Sequence, residues 1–159
     1  MLRPPSVLSH QYARAKRVNT HVLAYERYLM QATSTAVWYV PEGGAPTLDA
    51  GSGPSGALAP ADGAPLVTAI ANTPGFGPPL PFLIGQFVLD DGRQMVMLHN
   101  QHVMFDAIPV ITFAAGTRFL CQVSPSTGRE RPLLGGAAIE AGSAVLVVAS
   151  PTACEEPLA

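Results

Sequence analysis

Residues 82–100, FLIGQFVLDDGRQMVMLHN, decide the fold. Two apolar runs flank Asp91-Gly92, a dipeptide that tolerates the positive φ angles of a tight hairpin turn. With these two residues as the loop, Asp90 faces Arg93, Leu89 faces Gln94, Val88 faces Met95 and Phe87 faces Val96. In that register Phe87, Leu89, Val96 and Leu98 share one face and form the floor of a core, while Gln86, Asp90, Arg93 and Gln94 take the wetter positions. The opposed charges of Asp90 and Arg93 support the pairing. A slip of one residue would move every side chain to the other face, so the register is a specific expectation. Nothing in the hairpin is reactive.

Downstream the pattern repeats in short units. Residues 108–113 (IPVITF) and 118–123 (RFLCQV) read as strands joined by AAGT, and 124–128 (SPSTG) as a turn. Residues 133–139 are expected to add an edge strand, and 144–149 (AVLVVA) form a continuous apolar strand of the kind that closes a sandwich. Upstream, 33–40 (TSTAVWYV) and 66–72 (LVTAIAN) carry the same β-branched and aromatic signature. Turn signals every eight to twelve residues point to an antiparallel β-sandwich and not to βαβ units. Fifteen glycines and sixteen prolines agree, since they favour short strands and turns over long helices.

The one helical signal lies at the start. Pro4-Pro5-Ser6 reads as a helix entry with Ser6 as N-cap, and Leu8, Tyr12, Ala15, Val18, Val22, Tyr25 and Leu29 recur at spacings of three and four. The opposite side carries Arg14, Lys16, Arg17, His21 and Glu26. Such a stripe must lie on something: this chain's own sheet, a larger neighbour, or a membrane interface. Charge sets this segment apart, with five of the nine basic residues before position 31 against the single acid Glu26. The chain therefore divides into a helix at 1–32, a sandwich at 33–150 with a Gly/Pro-rich loop at 41–65, and a polar tail at 151–159 expected to fray.

Composition limits the function classes. At 159 residues, 48% hydrophobic and 13% charged, the chain can bury a core. A net charge of −2 lacks the basic excess of a nucleic-acid partner. No apolar run is long enough to span a bilayer as a helix, and MLRPPSVLSH lacks the apolar centre of a secretory signal. Cys121 falls in the alternation Phe119, Cys121, Val123 and reads as a small apolar side chain; a bond to Cys154 in the tail has no support from spacing. Compartment stays open.

Candidate chemistry is thin. Trp38 and Tyr39 are adjacent on a strand and project to opposite faces, one to the core and one toward the surface. With Phe76 and Phe82 they are the candidate sugar-stacking rings, although Phe76 also reads as a plug over the sandwich end. His99 and His102 invite a metal reading, but three apart on a strand they point to opposite faces and further ligands are not evident. A small enzyme using His99, His102 and Asp106 would lack a nucleophile with a positioned base. The acids Asp49, Asp62, Asp90, Asp91, Asp106, Glu130 and Glu140 fall in turns and loops, where a solvated role is expected. No catalytic residue, cofactor or metal site is assigned.

Taken in order, these stretches resemble the C-terminal region of multidomain glycoside hydrolases. YARAKRVNTHVLAYERYLMQATSTAVW is similar to the junction at which the last helix of a (β/α)8 barrel enters an accessory sandwich, with Asn19 inside the helix and Thr33, Ser34, Thr35 and Val37 in the first strand. GQFVLDDGRQMVMLHNQH, FLCQVSPSTGRERPL and IEAGSAVLVVA resemble successive stretches of the sandwich itself. The resemblance implies a non-catalytic accessory domain. Its catalytic carboxylates would lie on a barrel of ~250 residues that this chain does not contain. It implies a (β/α)8 domain as the partner packed on the helix, and carbohydrate as the ligand class.

Overall fold

The computed structural model describes residues 10–42, 66–73, 79–114, 116, 119–135 and 138–156. Helix α1 (His10–Leu29) leads into strands β1 (Ala32–Val40), β2 (Val67–Asn72), β3 (Phe82–Leu89), β4 (Gln94–Asn100), β5 (Pro109–Phe113), β6 (Phe119–Val123), β7 (Glu130–Pro132) and β8 (Ala144–Ser150). Six strands form one antiparallel sheet in the order β1-β3-β4-β8-β6-β7, and β2 pairs with β5 in a second sheet. The mainly β, sandwich-like expectation is met. Ser6, Leu8, residues 43–65 of the Gly/Pro-rich loop and Phe76 lie outside the described residues.

The hairpin forms, but one residue out of the expected register. Val88 pairs with Gln94, Phe87 with Met95 and Gln86 with Val96. The loop has three residues, Asp90, Asp91 and Gly92, because Gly92 takes φ 82° and its N–H closes on the Leu89 carbonyl at 2.8 Å. Asp91 secures this turn by accepting from the Arg93 backbone N–H at 3.0 Å and from its guanidinium at 2.7 Å. Arg93 is thus drawn to Asp91 and not across the strands to Asp90.

The shift divides the expected floor between two faces. Ile84, Val96 and Leu98 join Trp38, Val40, Phe82 and Val147 under the β2-β5 sheet, with Leu66, Val67 and Ile70 closing from above. Leu89, Met95, Leu146, Val148 and Val123 cluster on the other face with Tyr25 and Tyr28 of α1, and Phe87 and Met97 pack beside them. A slip that would expose a one-sided sheet is tolerated here because both faces are covered. Gln86, expected to be wet, is 2% exposed. Its carbonyl side-chain oxygen accepts the Leu66 N–H at 2.8 Å and so anchors the start of β2.

Three further expectations change. The edge strand is β7, not residues 133–139; among the described residues of that stretch Leu133 donates its N–H to the Leu120 carbonyl at 2.9 Å and Ile139 forms a bridge to Ala107. The apolar stripe of α1, expected to lie against another surface, is buried on this chain's sheet at Tyr25, beside Tyr28, whereas Tyr12, Val18 and Val22 are exposed. The tail does not fray through residue 156. Cys154 is joined to Cys121 on β6 in a disulfide with a Cα–Cα distance of 5.6 Å, and Glu156 donates its N–H to the Glu130 carbonyl at 2.8 Å.

Helix α1 sits close to the β6-β7 turn because of one glycine. Gly128 has φ +69°, and a Cβ there would lie 2.5 Å from the Ala24 carbonyl oxygen. Gly142 has a similar φ of +65° with nothing within 4 Å of a Cβ. Gly142→Ala should therefore cost about 1 kcal/mol in urea unfolding, the backbone term alone. Gly128→Ala should cost roughly 2–3 kcal/mol or displace α1, because the contact adds to it. Equal costs for the two variants would remove the close approach as an explanation.

Candidate functional site

The sequence-level candidates scatter. Trp38 and Phe82 are 2% and 1% exposed in the core, so neither ring has a face to offer a sugar. Tyr39 points outward from β1 and is 41% exposed. It is the only one of the four candidates that the described residues place at the surface, and a single ring is not a stacking row. His99 is half-buried on β4 opposite Leu83 and Ala144. His102 organises its own loop: its Nδ1 accepts the N–H groups of Met104 and Phe105, both at 3.1 Å. Asn100, fully buried, donates to the Phe105 and Ile139 carbonyls and accepts the His102 N–H. Asp106 accepts the Ala141 N–H at 2.8 Å. Asn100, His102 and Asp106 thus hold the β4-β5 loop. Among the described residues no group of three or more His, Cys, Asp or Glu side chains could hold a metal ion.

What the fold does assemble lies where α1 meets the sheet and the tail. Glu130 on β7 is 4% exposed, although the sequence suggested a solvated turn residue. Its Oε1 accepts the Tyr28 hydroxyl at 3.1 Å and an Arg93 guanidinium N–H at 2.6 Å. Arg93 also binds Asp91, as above. On the other side Arg27 donates to the Tyr28 hydroxyl oxygen and, at 2.8 Å, to Glu155 of the tail. The Arg27 guanidinium lies 4.7 Å over the Tyr28 ring. Glu155 returns to β7 by accepting the Glu130 backbone N–H at 3.1 Å. The result is one unbroken chain of bonds, Glu155–Arg27–Tyr28–Glu130–Arg93–Asp91, crossing helix, edge strand, hairpin turn and tail.

The chain borders a cleft of about 430 Å³ lined by Arg27, Tyr28, Gln31, Arg93, Glu130 and residues of the tail from Ser150 to Glu155. Burial, then the Glu130 charge, pushes the Tyr28 hydroxyl up to about 12 against the opposing pull of Arg27. Burial acts to raise Glu155 but is outweighed by the Glu130 N–H and by Arg27, so its carboxyl is held below the usual range. The Arg93 backbone N–H, with its guanidinium, likewise holds Asp91 low. Burial opposes the charge on Arg27 and Arg93, and their acidic and phenolic neighbours more than restore it. The lowered Glu155 carboxyl favours the anion that grips Arg27. The arrangement ties helix, edge strand, hairpin turn and tail together through charged hydrogen bonds.

Sequence reasoning missed this constellation because its members are far apart in the chain. Tyr28 and Glu130 are separated by 102 positions, and Arg93 and Glu130 by 37. One local signal existed. Arg129 and Arg131 are exposed on either side of buried Glu130, the period-two alternation of a strand with its acid turned inward. Compared with models of protein families, with curated proteins and with solved structures, the chain matches none of them.

Proposed function

We propose that this chain is the non-catalytic accessory β-sandwich of a carbohydrate-active, glycoside hydrolase-like protein, and that α1 is the element on which a (β/α)8 catalytic domain packs. The supporting observation is the exposed apolar side of α1. Val18 is 58%, Val22 54% and Leu23 70% exposed, while the helix gives the sandwich little beyond Tyr25 and Tyr28. A helix that turns several large apolar side chains to water has a second surface to meet. Bond-breaking, on this reading, belongs to the partner domain.

The test uses the assembly state. The chain alone should self-associate at micromolar concentration, as seen by analytical ultracentrifugation. A Val18→Lys, Leu23→Lys variant should be monomeric with an unchanged urea midpoint, because neither side chain contributes to the described cores. A chain that stays monomeric at every concentration, and that fails to associate with a co-expressed (β/α)8 domain, would overturn the docking role.

A further inference from the structure

We propose that the outer edge of β5, with the apolar pocket beside it, receives a short extended peptide as an added strand whose alternate side chains fill the pocket. The site lies on the face of the large sheet opposite α1 and does not rest on the docking role of that helix.

The edge comes first. The Thr73 N–H donates to the Ile108 carbonyl and the Ala114 N–H to the Leu66 carbonyl, both at 2.9 Å, so the even-numbered positions along this stretch face β2. Backbone groups alternate in direction along an antiparallel strand, and the odd-numbered ones therefore face away from β2. Ala107 follows the same alternation and exchanges two bonds with Ile139 on that outer side, at 2.9 and 2.7 Å. Pro109 has no N–H to carry this ladder further. Beyond it, the outward N–H and C=O groups of Ile111 and Phe113 have no backbone partner among the described residues.

The pocket runs along the same edge. It measures about 220 Å³ and is lined by Ile111 and Phe113, by Leu120 of β6, and by Leu133, Leu134 and Gly135 beyond β7. Every described lining residue is apolar, so a charged or hydroxyl-rich group entering it would lose its water with nothing in exchange. The volume is below the ~300–1,000 Å³ of a site for a drug-sized ligand. At roughly 30 Å³ per non-hydrogen atom it holds about seven, which is two valine side chains or one benzyl group.

Edge and pocket together select the ligand. Ile111 and Phe113 are half-buried with their side chains at the pocket, while Val110 and Thr112 are exposed. A strand laid against this edge can exchange two bonds with Ile111 and two with Phe113. The residues opposite them turn their side chains to the same side, toward the pocket. A hydrocarbon leaves the backbone groups unused, and a polar chain leaves the pocket unfilled. An uncharged segment with the pattern apolar–polar–apolar uses both, the mode of strand addition to a sheet edge.

The test is amide hydrogen exchange on the full ¹⁵N-labelled chain with the blocked peptide Ac-Thr-Val-Thr-Val-Thr-NH2 at up to about 10 mM, a range that reveals millimolar dissociation constants. The Ile111 and Phe113 amides should exchange fast in the free chain. They should slow about tenfold once nine-tenths of the chain is occupied, since exchange then proceeds from the free tenth. Val110 and Thr112, whose amides face β2, should not change. The peptide methylated on both valine nitrogens keeps its side chains but loses two donors, and should bind about tenfold more weakly. Leu134 is 60% exposed, so Leu134→Asp should keep the urea midpoint while its charge beside the pocket weakens binding to a similar degree. No slowing at Ile111 and Phe113 at the highest concentration would overturn the proposal. So would equal binding of the methylated peptide, which would reduce the site to an apolar pocket without strand addition, or equal binding by a folded Leu134→Asp variant. Either failure leaves the docking role of α1 untouched, since that is read from assembly state.

Discussion

Opening the Cys121–Cys154 disulfide is expected to lower the unfolding free energy by about 3–4 kcal/mol, the chain-entropy value for a closed loop of this size. The two cysteines are separated by 33 positions, and the bond fastens the tail to β6 in the middle of the edge pairing. Cys121 is fully buried, so its loss is felt inside the core as well as in the tail. More than chain entropy depends on the bond. It sets Glu155 where that side chain can reach both Arg27 and the Glu130 N–H, and through Arg27 it steadies the end of α1. Urea denaturation of the oxidised chain, the chain reduced with a thiol, and a Cys121→Ala, Cys154→Ala variant should give one high midpoint and two low ones. Hydrogen exchange should quicken at Glu130, Glu155 and the last turn of α1 in the reduced form. Midpoints that agree within about 0.5 kcal/mol, the size of an ordinary surface change, would show that the tail is not fastened in solution. The same bond makes stability depend on redox surroundings: full in an oxidising medium, reduced where thiols are kept free.

The second large effect concerns Glu130. Glu130→Ala removes the acceptor shared by Tyr28 and Arg93 and leaves a guanidinium facing a cavity. Breaking a fully buried pair in this way costs ~3–5 kcal/mol. Arg93 is partly exposed and keeps Asp91, so a loss of roughly 2–3 kcal/mol is expected once solvent screening is allowed for. Glu130→Gln should recover some of this because it still accepts a hydrogen bond. If Ala and Gln variants unfolded with the wild-type midpoint, the bond chain through Glu130 would carry no weight in holding α1.

The network also predicts where pH should act. The Tyr28 hydroxyl is raised to about 12 in the fold, so its contribution is fully present below the ordinary tyrosine value of about 10 and is lost as pH rises from there through 12. Phenolate absorbance should show Tyr28 titrating late, with Tyr25 also raised by its burial, and Tyr28 alone moving earlier in Glu130→Ala, where the neighbouring negative charge is gone. Glu155 works in the opposite sense. Its folded pKa is depressed, so the grip on Arg27 is complete above the unfolded carboxylate value of about 4.3 and fades as pH falls through the folded one.

How much was legible beforehand can be judged element by element. The β-branched runs at β1, β3, β4, β6 and β8 are visible because each strand's side chains alternate locally. That Trp38 and Tyr39 part to opposite faces follows from the same period; that Trp38 is the inward one was decided by the structure. The hairpin at Asp91-Gly92 was visible, but its register was not. Two-residue and three-residue loops both suit that dipeptide, and Asp91 capturing Arg93 selected the longer one. The stripe on α1 was read as apolar but what it lies against stayed open, since periodicity reports a face and not what covers it.

Local chemistry, then, was enough to establish a mainly β chain with one leading helix and the number and rough limits of most of its strands. Only the tertiary structure could pair Cys121 with Cys154, bury Glu130 between Tyr28 and Arg93, and bring the tail round to meet Arg27. The physical reason is sequence distance. Strand period and turn preference act between neighbours, whereas a buried carboxylate or a disulfide is decided by which remote segments the packing of two sheets and a helix carries into contact.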